Sequence, residues 1–357
     1  GITYNDGSLQ PSAPVGKNLI INGDMMIDQR NAAASATSNT SVYMVDRFEF
    51  QMSSVTNVQT YQQVTDAPAG FNKSLKITNN STTQSTAAGV LCTPRQKIEG
   101  FNTAHLNWGT ANAQTVTVSF WVKASVTGTY PVALTNDDFT RSFVTNYTVS
   151  VANTWEKKTV TITGDTSGTW TIDNSTGINV MFSLDTGSTY QTTADSWQAG
   201  NYRGTSSDVH FLANASATWQ ITGVQLEANT TATPFENLMY SQQLALCQRY
   251  YYIPAQGVNS EINVGWYYNS TWLSSAIDMP VPMRVKPTLT DTTGSSYYTM
   301  YRNNTADALD SLTLENSNNN HTCVSIYNNS DVSGTGGQAG ILRTTNALAK
   351  LELDSEL

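Results

Sequence analysis

The sequence predicts a mainly β fold: an N-terminal jelly-roll β-sandwich, one central α-helix and a small C-terminal antiparallel β domain. Charged residues make up only 13% of the 357, about half the usual share in globular domains. Asn, Thr, Ser and Gln replace them beside many Val, Ile, Tyr and Trp residues, which is typical of sheets with polar outer faces. Short apolar–polar alternations recur between turn-rich connections, as in sandwiches and jelly rolls.

The clearest strand is predicted at residues 115–124, TVTVSFWVKA. Its apolar side chains share one face, which indicates a half-buried strand; they are Val116, Val118, Phe120 and Val122. Similar patterns predict further strands at 43–52, 74–79, 130–134, 141–151, 156–163, 178–184 and 217–227. Residues 185–205 contain few strand signals, and loops of that length are more often functional than structural.

The pattern divides the chain into four parts. Residues 1–17 carry turn and proline chemistry without apolar content, so this arm has no core and is either loose or fastened to something else. Residues 18–229 form the predicted jelly-roll domain and residues 230–254 the central helix. Residues 255–357 alternate again, starting with Ile262, Val264, Trp266 and Tyr268, and form the C-terminal β domain.

One long helix is predicted between Thr233 and Ile253. Thr233 is a good N-cap residue, Pro234 falls at the first helical position, and Glu236 follows three residues after the cap. This arrangement is a capping box with a proline start. Pro254 then prevents the helix from continuing.

The predicted helix carries two apolar stripes. The first contains Phe235, Leu238, Met239, Gln242, Leu246 and Tyr250. The second contains Tyr240, Leu244, Cys247 and Tyr251. A helix packed on one core needs a single apolar face, so two stripes indicate burial on two sides. Either the helix is wedged between two domains of one chain, or the second stripe is an oligomer interface; we favour the oligomer.

Composition argues against several functions. The formal net charge of −9 provides no basic patch for phosphates or for an anionic membrane surface. We therefore predict neither nucleic-acid binding nor membrane insertion, and no apolar run reaches the eighteen residues of a membrane span. Cys92, Cys247 and Cys323 are odd in number and far apart, which disfavours a disulfide framework and a zinc site.

No catalytic motif stands out, and we predict that the protein is not an enzyme. His105, His210 and His321 are isolated, and no G-x-S-x-G elbow is present. Asp137 and Asp138 are adjacent, so on a strand they point to opposite faces. Glycosidase carboxylates usually come from distant segments and leave no motif, so a polysaccharide depolymerase stays an alternative.

Three groups of segments resemble a known family. They are NLIINGDMMIDQRN (18–31) with YMVDRFEF (43–50), WQITGVQLEANTTATPFENLMYSQQLALCQRYYY (219–252), and VPMRVKPTL (281–289) with ALAKLELDSEL (347–357). The set resembles bacteriophage virion proteins, chiefly tail-fibre and related host-facing proteins, from about residue 17 to residue 357. The middle segment is the most specific: a strand ending in QLE, a TPFE cap, and a helix ending in CQRYYY.

The resemblance implies that the first domain is a jelly roll of the carbohydrate-binding-module type and that copies assemble as homotrimers. It also implies a place in the virion after assembly in the host cytoplasm, with residues 1–17 docked to other virion proteins. Such jelly rolls often hold a structural calcium, but residues 22–26 read NGDMM without the expected glutamate. Calcium near Asp24 is therefore a disfavoured alternative, and no metal or cofactor is predicted.

Aromatic residues mark two candidate surfaces for a host glycan or receptor. Trp197 lies in the long 185–205 segment with Tyr190 and Tyr202 nearby, among Asn, Gln and Asp residues. Aromatic rings can pack on a sugar face while polar neighbours bond its hydroxyls. The rival surface is in the C-terminal domain and contains Trp266, Tyr267, Tyr268 and Trp272. Packing of the long loop onto its sandwich is the alternative role for Trp197.

These observations give one favoured hypothesis: a trimeric, non-enzymatic phage tail fibre or spike that attaches through its N-terminal arm and binds host surface glycan or receptor. The copies associate through the helix predicted between Thr233 and Ile253 and through the C-terminal domain. A capsid decoration or neck protein with an architectural role is the first alternative. A polysaccharide depolymerase is the second.

Overall fold

The computed structural model describes residues 16–80, 83–315 and 320–357. The chain forms two compact units, which we call unit 1 (residues 1–240) and unit 2 (residues 241–357). Most of the predicted arm, residues 1–15, lies outside the described residues. Within the described ranges, no helix has both the length and the apolar character that crossing a bilayer requires.

Unit 1 consists mainly of short antiparallel strands. In chain order these are β1 Ala36–Ser38, β2 Val42–Val45, β3 Phe48–Ser53, β4 Gln59–Val64, β5 Ser74–Asn79, β6 Leu91–Glu99, β7 Val116–Ala124, β8 Gly128–Thr135, β9 Arg141–Val149, β10 Glu156–Ile162, β11 Thr176–Phe182, β12 Asp185–Thr186, β13 Ser196–Ala199 and β14 Thr218–Glu227. Helix α1 spans Gly100–Thr103, and 3-10 turns occupy Ala104–Leu106, Ser188–Tyr190 and Phe211–Ala213.

These strands form two antiparallel sheets. The six-stranded sheet has the order β1-β4-β5-β14-β7-β10. The eight-stranded sheet has the order β13-β9-β8-β11-β6-β3-β2, with β12 also paired to β6. Neighbouring strands are often distant in the chain, as where β14 lies between β5 and β7, and such crossovers are characteristic of jelly rolls.

The core of unit 1 lies between the two sheets. Phe120 of β7 contacts Tyr147 of β9 and Phe182 of β11, each with ring centroids 5.0 Å apart. Trp219 of β14 is fully buried, and its indole N–H donates to the Tyr147 hydroxyl over 3.1 Å. The predicted strand at 115–124 is confirmed, since the apolar face of β7 is buried in this core.

The segment that follows the predicted arm is fastened along β14. The Leu19 amide donates to the Leu226 carbonyl over 2.9 Å, and the Val224 amide donates to the Gly23 carbonyl over 2.9 Å. Asn18 joins in through both of its side-chain atoms, which bond Val224 and Leu226. A Cβ at residue 23 would lie 2.1 Å from the Val224 carbonyl oxygen, so this close approach requires the glycine.

Unit 2 begins with helix α2 and continues as short strands. Helix α2 spans Tyr240–Gln248, across the boundary between the units. The strands are β15 Tyr251–Gln256, β16 Glu261–Asn269, β17 Trp272–Asp278, β18 Thr288–Asp291, β19 Tyr298–Arg302, β20 Thr305–Leu309, β21 Thr313–Leu314, β22 Cys323–Asn328, β23 Ala339–Thr344 and β24 Lys350–Asp354.

The strands of unit 2 also pair as two antiparallel sheets. One has the order β15-β24-β18, and the larger one has the order β20-β19-β23-β16-β17-β22-β21. Their shared core includes Leu273, Met300, Val324, Leu342 and Leu353. This arrangement confirms the predicted antiparallel β domain at the C-terminal end, and with unit 1 it confirms the mainly β class.

The central helix is shorter than predicted: α2 has nine residues, and the capping box does not form. The Thr233 amide and hydroxyl donate to the two carboxylate oxygens of Glu227, each over 2.8 Å. The Glu236 amide donates to Gln225 Oε1 over 2.8 Å. Polar side chains of β14 therefore hold the residues that were expected to start the helix. The helix stops before Tyr251, the first residue of β15, which pairs with Asp354 of β24.

The shorter helix breaks the second stripe. Cys247 and Tyr251 are fully buried in the folded chain, and Tyr251 belongs to a strand. Tyr240 is 59% exposed and Leu244 is half-buried. The predicted oligomer interface on this stripe is thus reduced to Tyr240 and Leu244.

The Glu236 carboxylate offers a direct test of this rearrangement. Its two oxygens accept from the Gly16 amide over 3.1 Å and the Asn18 amide over 2.8 Å. We expect Glu236→Ala to lower the free energy of unfolding by about 1 kcal/mol, the typical net contribution of a hydrogen bond, because one of the two bonds is exposed to solvent. Far-UV circular dichroism should show no loss of helix, whereas a true capping box would lose helical signal.

Candidate functional site

Three tryptophans of unit 1 form one cluster. The rings of Trp108 and Trp170 are 4.7 Å apart, and Trp197 lies 5.4 and 5.5 Å from them, all in edge-to-face contact. Trp197 is carried by β13, beside Phe143 of β9. Edge-to-face pairs at these separations are favourable, so the three indoles support one another.

Two glycines bring Trp108 and Trp170 together. Gly109 has a positive φ of 84°, and a Cβ there would lie 2.8 Å from the Gly168 carbonyl oxygen. The Gly109 amide donates to the Asp165 carbonyl over 2.7 Å. Because neither the conformation nor the space admits a side chain, this close approach of two loops sets the distance between the indoles.

A cleft of about 230 Å³ opens beside Trp108 and Trp170. Its other lining residues are Thr103, Ala104, Asn107, Thr110, Thr171, Ile172 and Ile178. The indole N–H groups are already used, donating to the Gln114 carbonyl over 2.8 Å and to the Ser167 carbonyl over 3.1 Å. The rings are therefore fixed in orientation, and hydroxyl and amide groups surround them.

The cleft has the chemistry of a small-ligand site. Aromatic and aliphatic walls with a few polar groups are usual where proteins bind small polar molecules. The volume is below the usual range for drug-sized ligands and suits a group about the size of one sugar ring. The half-buried Trp170 ring, backed by the buried Trp108, can pack against C–H groups while Thr and Asn oxygens accept from hydroxyls.

The predicted contact residue Trp197 supports this cleft from behind. It is half-buried, and its indole N–H donates to the Thr163 carbonyl over 2.8 Å. It contacts both cleft tryptophans but does not line the cleft. In the structure Trp197 therefore packs the long segment onto the sandwich, which is the alternative role considered for it.

Tyr190 and Tyr202 lie on a different surface, the outer face of the eight-stranded sheet. Tyr202 packs with Phe139 on Val144 and Met181, whose side chains point away from the core that Trp197 faces. The structure therefore separates the three aromatic residues that the sequence grouped together.

The buried guanidinium of Arg203 lies under these tyrosines. The Arg203 guanidinium is 4.5 Å from the centre of the Phe139 ring and 5.7 Å from that of Tyr190. Arg203 is 2% exposed and bonds the side chains of Asn201 and Gln51. Burial, together with the charge of Arg95, lowers the pKa of Arg203 to about 10. Arg203 therefore anchors residues 187–204 to the sheet, and its buried guanidinium is not accessible to a ligand.

In unit 2 the predicted aromatic group is divided between surface and core. Trp266 is exposed, whereas Tyr267 is fully buried and donates its hydroxyl to Asp307 Oδ2 over 2.8 Å. Tyr267 is thus a core residue, because successive side chains of β16 alternate between the two faces. Trp272 is half-buried and stacks on Tyr327, with centroids 4.5 Å apart and planes 9° apart.

The arrangement around His210 does not form a proton relay. Its Nδ1 lies 3.1 Å from both Asp185 Oδ1 and the Thr86 hydroxyl. A catalytic imidazole uses opposite nitrogens for base and orienter, whereas here one nitrogen meets both groups. Among the residues that the structure describes, no group of three or more His, Cys, Asp or Glu side chains could hold a metal ion.

No family model matches the sequence, and no curated protein matches it. Solved structures similar to the chain include the enzymatically active domain of tailspike protein 4 from bacteriophage CBA120, at 11% identity and a TM-score of 0.31. That match covers 60% of this chain and 22% of the tailspike chain, so the present chain spans about a fifth of that protein.

Two further similar structures are named for sugar binding. A putative sugar-binding protein from Bacteroides thetaiotaomicron is 13% identical, with a TM-score of 0.31, over 59% of this chain and all of the other. A family 11 carbohydrate-binding module from Clostridium thermocellum, in complex with a mixed-linked tetrasaccharide, is 13% identical with a TM-score of 0.26. That match covers 54% of this chain and 97% of the module. At these values the likeness assigns no ligand to the present chain.

Proposed function

We propose that this chain is a non-enzymatic structural protein of a phage virion, a trimeric tail fibre or spike that binds polysaccharide on the host surface. The cleft beside Trp108 and Trp170 is its glycan site. The observation that carries the binding function is this cleft, in which fixed indoles meet hydroxyl and amide side chains. The place in the virion rests on the three sequence segments that resemble phage proteins, and residues 1–17 dock the chain to its virion partners.

The size of the cleft fits weak, repeated recognition. A site for one sugar ring buries little surface, so a single contact is expected to be weak. Three copies per spike and several spikes per particle convert weak contacts into strong attachment through avidity. A polysaccharide supplies the repeated ligand that such an arrangement requires.

Binding at the cleft is tested by substituting Trp170. We expect Trp170→Ala to weaken binding of the host polysaccharide by about 2 kcal/mol, roughly 30-fold, as for a central aromatic contact. Isothermal titration with oligosaccharides from that polysaccharide gives the affinity. Trp155→Ala, which removes a half-buried indole of unit 1 elsewhere, is the matched control and should bind normally.

A second variant separates loss of the site from loss of packing. Thr171→Arg keeps all three indoles and fills the cleft from its rim, so it should also abolish binding while near-UV circular dichroism stays unchanged. Normal affinity in both cleft variants would exclude this site. Particles that carry Trp170→Ala should adsorb poorly to the host.

Incubation of the protein with the host polysaccharide tests the absence of catalysis. New reducing ends, or a fall in the polysaccharide's mass, would make the protein a depolymerase and contradict the non-enzymatic proposal. Electron microscopy of the particle tests its position: density for this chain on the head lattice would favour a decoration protein instead.

A further inference from the structure

The seven-stranded sheet of unit 2 has an exposed apolar outer face. Five large side chains from three adjacent strands, which we call the β16 face, remain open to solvent in the folded chain. They are Val264 (58% exposed), Trp266 (44%) and Tyr268 (76%) on β16, Ile341 (40%) on β23 and Tyr301 (38%) on β19.

The strand register makes this face continuous. Val264 pairs with Ile341, and Ile341 pairs with Tyr301, so these three side chains form one row across the sheet. Trp266 and Tyr268 extend the row along β16, and Ala339 lies opposite Trp266. Paired residues on one face of antiparallel strands lie about 5 Å apart, so the five side chains form a single patch.

The patch is large for a solvent-exposed surface. Aromatic side chains present roughly 150–250 Å² each and Val and Ile somewhat less, and the exposed fractions therefore leave on the order of 500 Å² open. That is near the upper end for the largest apolar patch of a typical monomer. It is also more than half of the roughly 800 Å² that each partner buries in a stable interface.

The chemistry of the patch favours a protein partner over a glycan. Val264 and Ile341, at its centre, offer only methyl groups, whereas the tryptophan cleft of unit 1 is ringed by hydroxyls and an amide. The charged side chain of Arg343 is stacked over the Tyr301 ring at 5.0 Å, at the margin. Few charges around aromatic and aliphatic groups characterise the cores of interfaces between identical subunits.

We propose that the β16 face is the surface through which three copies of this chain associate, each copy turning the face towards a common three-fold axis. Sheet faces pack with interleaved side chains, and β-branched and aromatic residues suit that packing. The inference rests on the self-association included in the proposed function and names its surface. It moves the main contact from the helical stripe, of which only Tyr240 and Leu244 remain accessible, to the sheet of unit 2.

The test uses the full chain and light scattering after size exclusion over a range of concentrations. Val264→Lys and Tyr268→Lys each place an ammonium on the face, and burial of an unpaired charge is costly. Each should weaken association about 100-fold and yield monomers at micromolar concentration. Leu348→Lys makes the same change at an exposed residue outside the face and should leave the mass unaltered. Leu244→Glu should also leave it unaltered.

The outcomes separate this inference from the proposed function. Wild-type oligomers that survive both β16-face variants would overturn the inference and leave self-association intact; dissociation by Leu244→Glu alone would return the interface to the helix. A monomeric wild type would overturn both the inference and the trimer, while glycan binding would still be judged by the Trp170 variant. Circular dichroism melting of Tyr268→Lys, the most exposed position, shows whether dissociation occurs without unfolding.

Discussion

Replacing Glu49 with Gln is expected to lower the free energy of unfolding by about 3–5 kcal/mol, the usual cost of removing one partner from a buried ion pair. The Glu49 carboxylate lies 2.9 Å from the Arg95 guanidinium and 3.2 Å from the Lys97 ammonium. All three side chains are largely shielded on the outer face of the eight-stranded sheet. With an amide at position 49, the positive charges of Arg95 and Lys97 no longer have this carboxylate as a partner.

Urea unfolding at pH 7 measures this effect. Asp138→Asn, the same carboxylate-to-amide change on an exposed side chain, is the control and should alter stability by less than about 0.5 kcal/mol. Equal small effects in both variants would show that the ion pairs of Glu49 with Arg95 and Lys97 contribute little to stability.

The same group predicts a dependence on pH. Burial raises the pKa of the Glu49 carboxyl, but the charges and hydrogen bonds of Arg95 and Lys97 lower it further, so the net pKa lies below 4.5. Its contribution to stability is thus complete above pH 4.5 and is lost as the pH falls through the lowered folded-state pKa. The stability difference between wild type and Glu49→Gln should therefore shrink below pH 4.5; a constant difference would contradict the assignment.

The second large effect is expected in the core. Phe120→Ala should destabilise the protein by about 3–5 kcal/mol, because it leaves a cavity between the two sheets. The lost ring contacts both Tyr147 and Phe182 across the sandwich. Chemical denaturation gives the change, with the exposed Phe101→Ala as a near-neutral control. A loss below about 1 kcal/mol would mean that the sheets do not share this core.

The fold class could be predicted because alternation is local. In β7, every second residue is apolar, and the structure places Val116, Val118 and Phe120 in the core. In β16 the same alternation is present, but the side that carries Val264, Trp266 and Tyr268 is exposed and Tyr267 is buried. Alternation alone therefore does not show which side of this strand faces the core, and Tyr267, predicted as a surface contact, is a core residue.

The helix was predicted too long because the residues expected to start it form hydrogen bonds with a strand instead. Thr233 and Glu236 have the spacing of a capping box, yet Glu227 and Gln225 of β14 bond them instead. Charged and amide groups already ordered by a strand compete well with a cap that is worth about 1 kcal/mol. Local spacing contains no information about such a competitor.

The candidate site was only partly predictable. Trp197 was identified from its place in a long polar segment, but Trp108 and Trp170, which line the cleft, were not. Their proximity depends on the contact between Gly109 and Gly168, which joins two distant loops. A tryptophan next to or near a glycine in each loop is the only local signal, and it is weak without knowledge of the pairing.

The fastening of residues 18–23 along β14 has a mechanical consequence. Tension applied to the chain ahead of Gly16 would reach the sandwich through bonds at Leu19, Gly23 and the Asn18 side chain. The applied force would be distributed over several such bonds and over those of the Glu236 carboxylate before any core strand moved. Force applied at this end would thus load hydrogen bonds outside the strand pairing of the two sheets first.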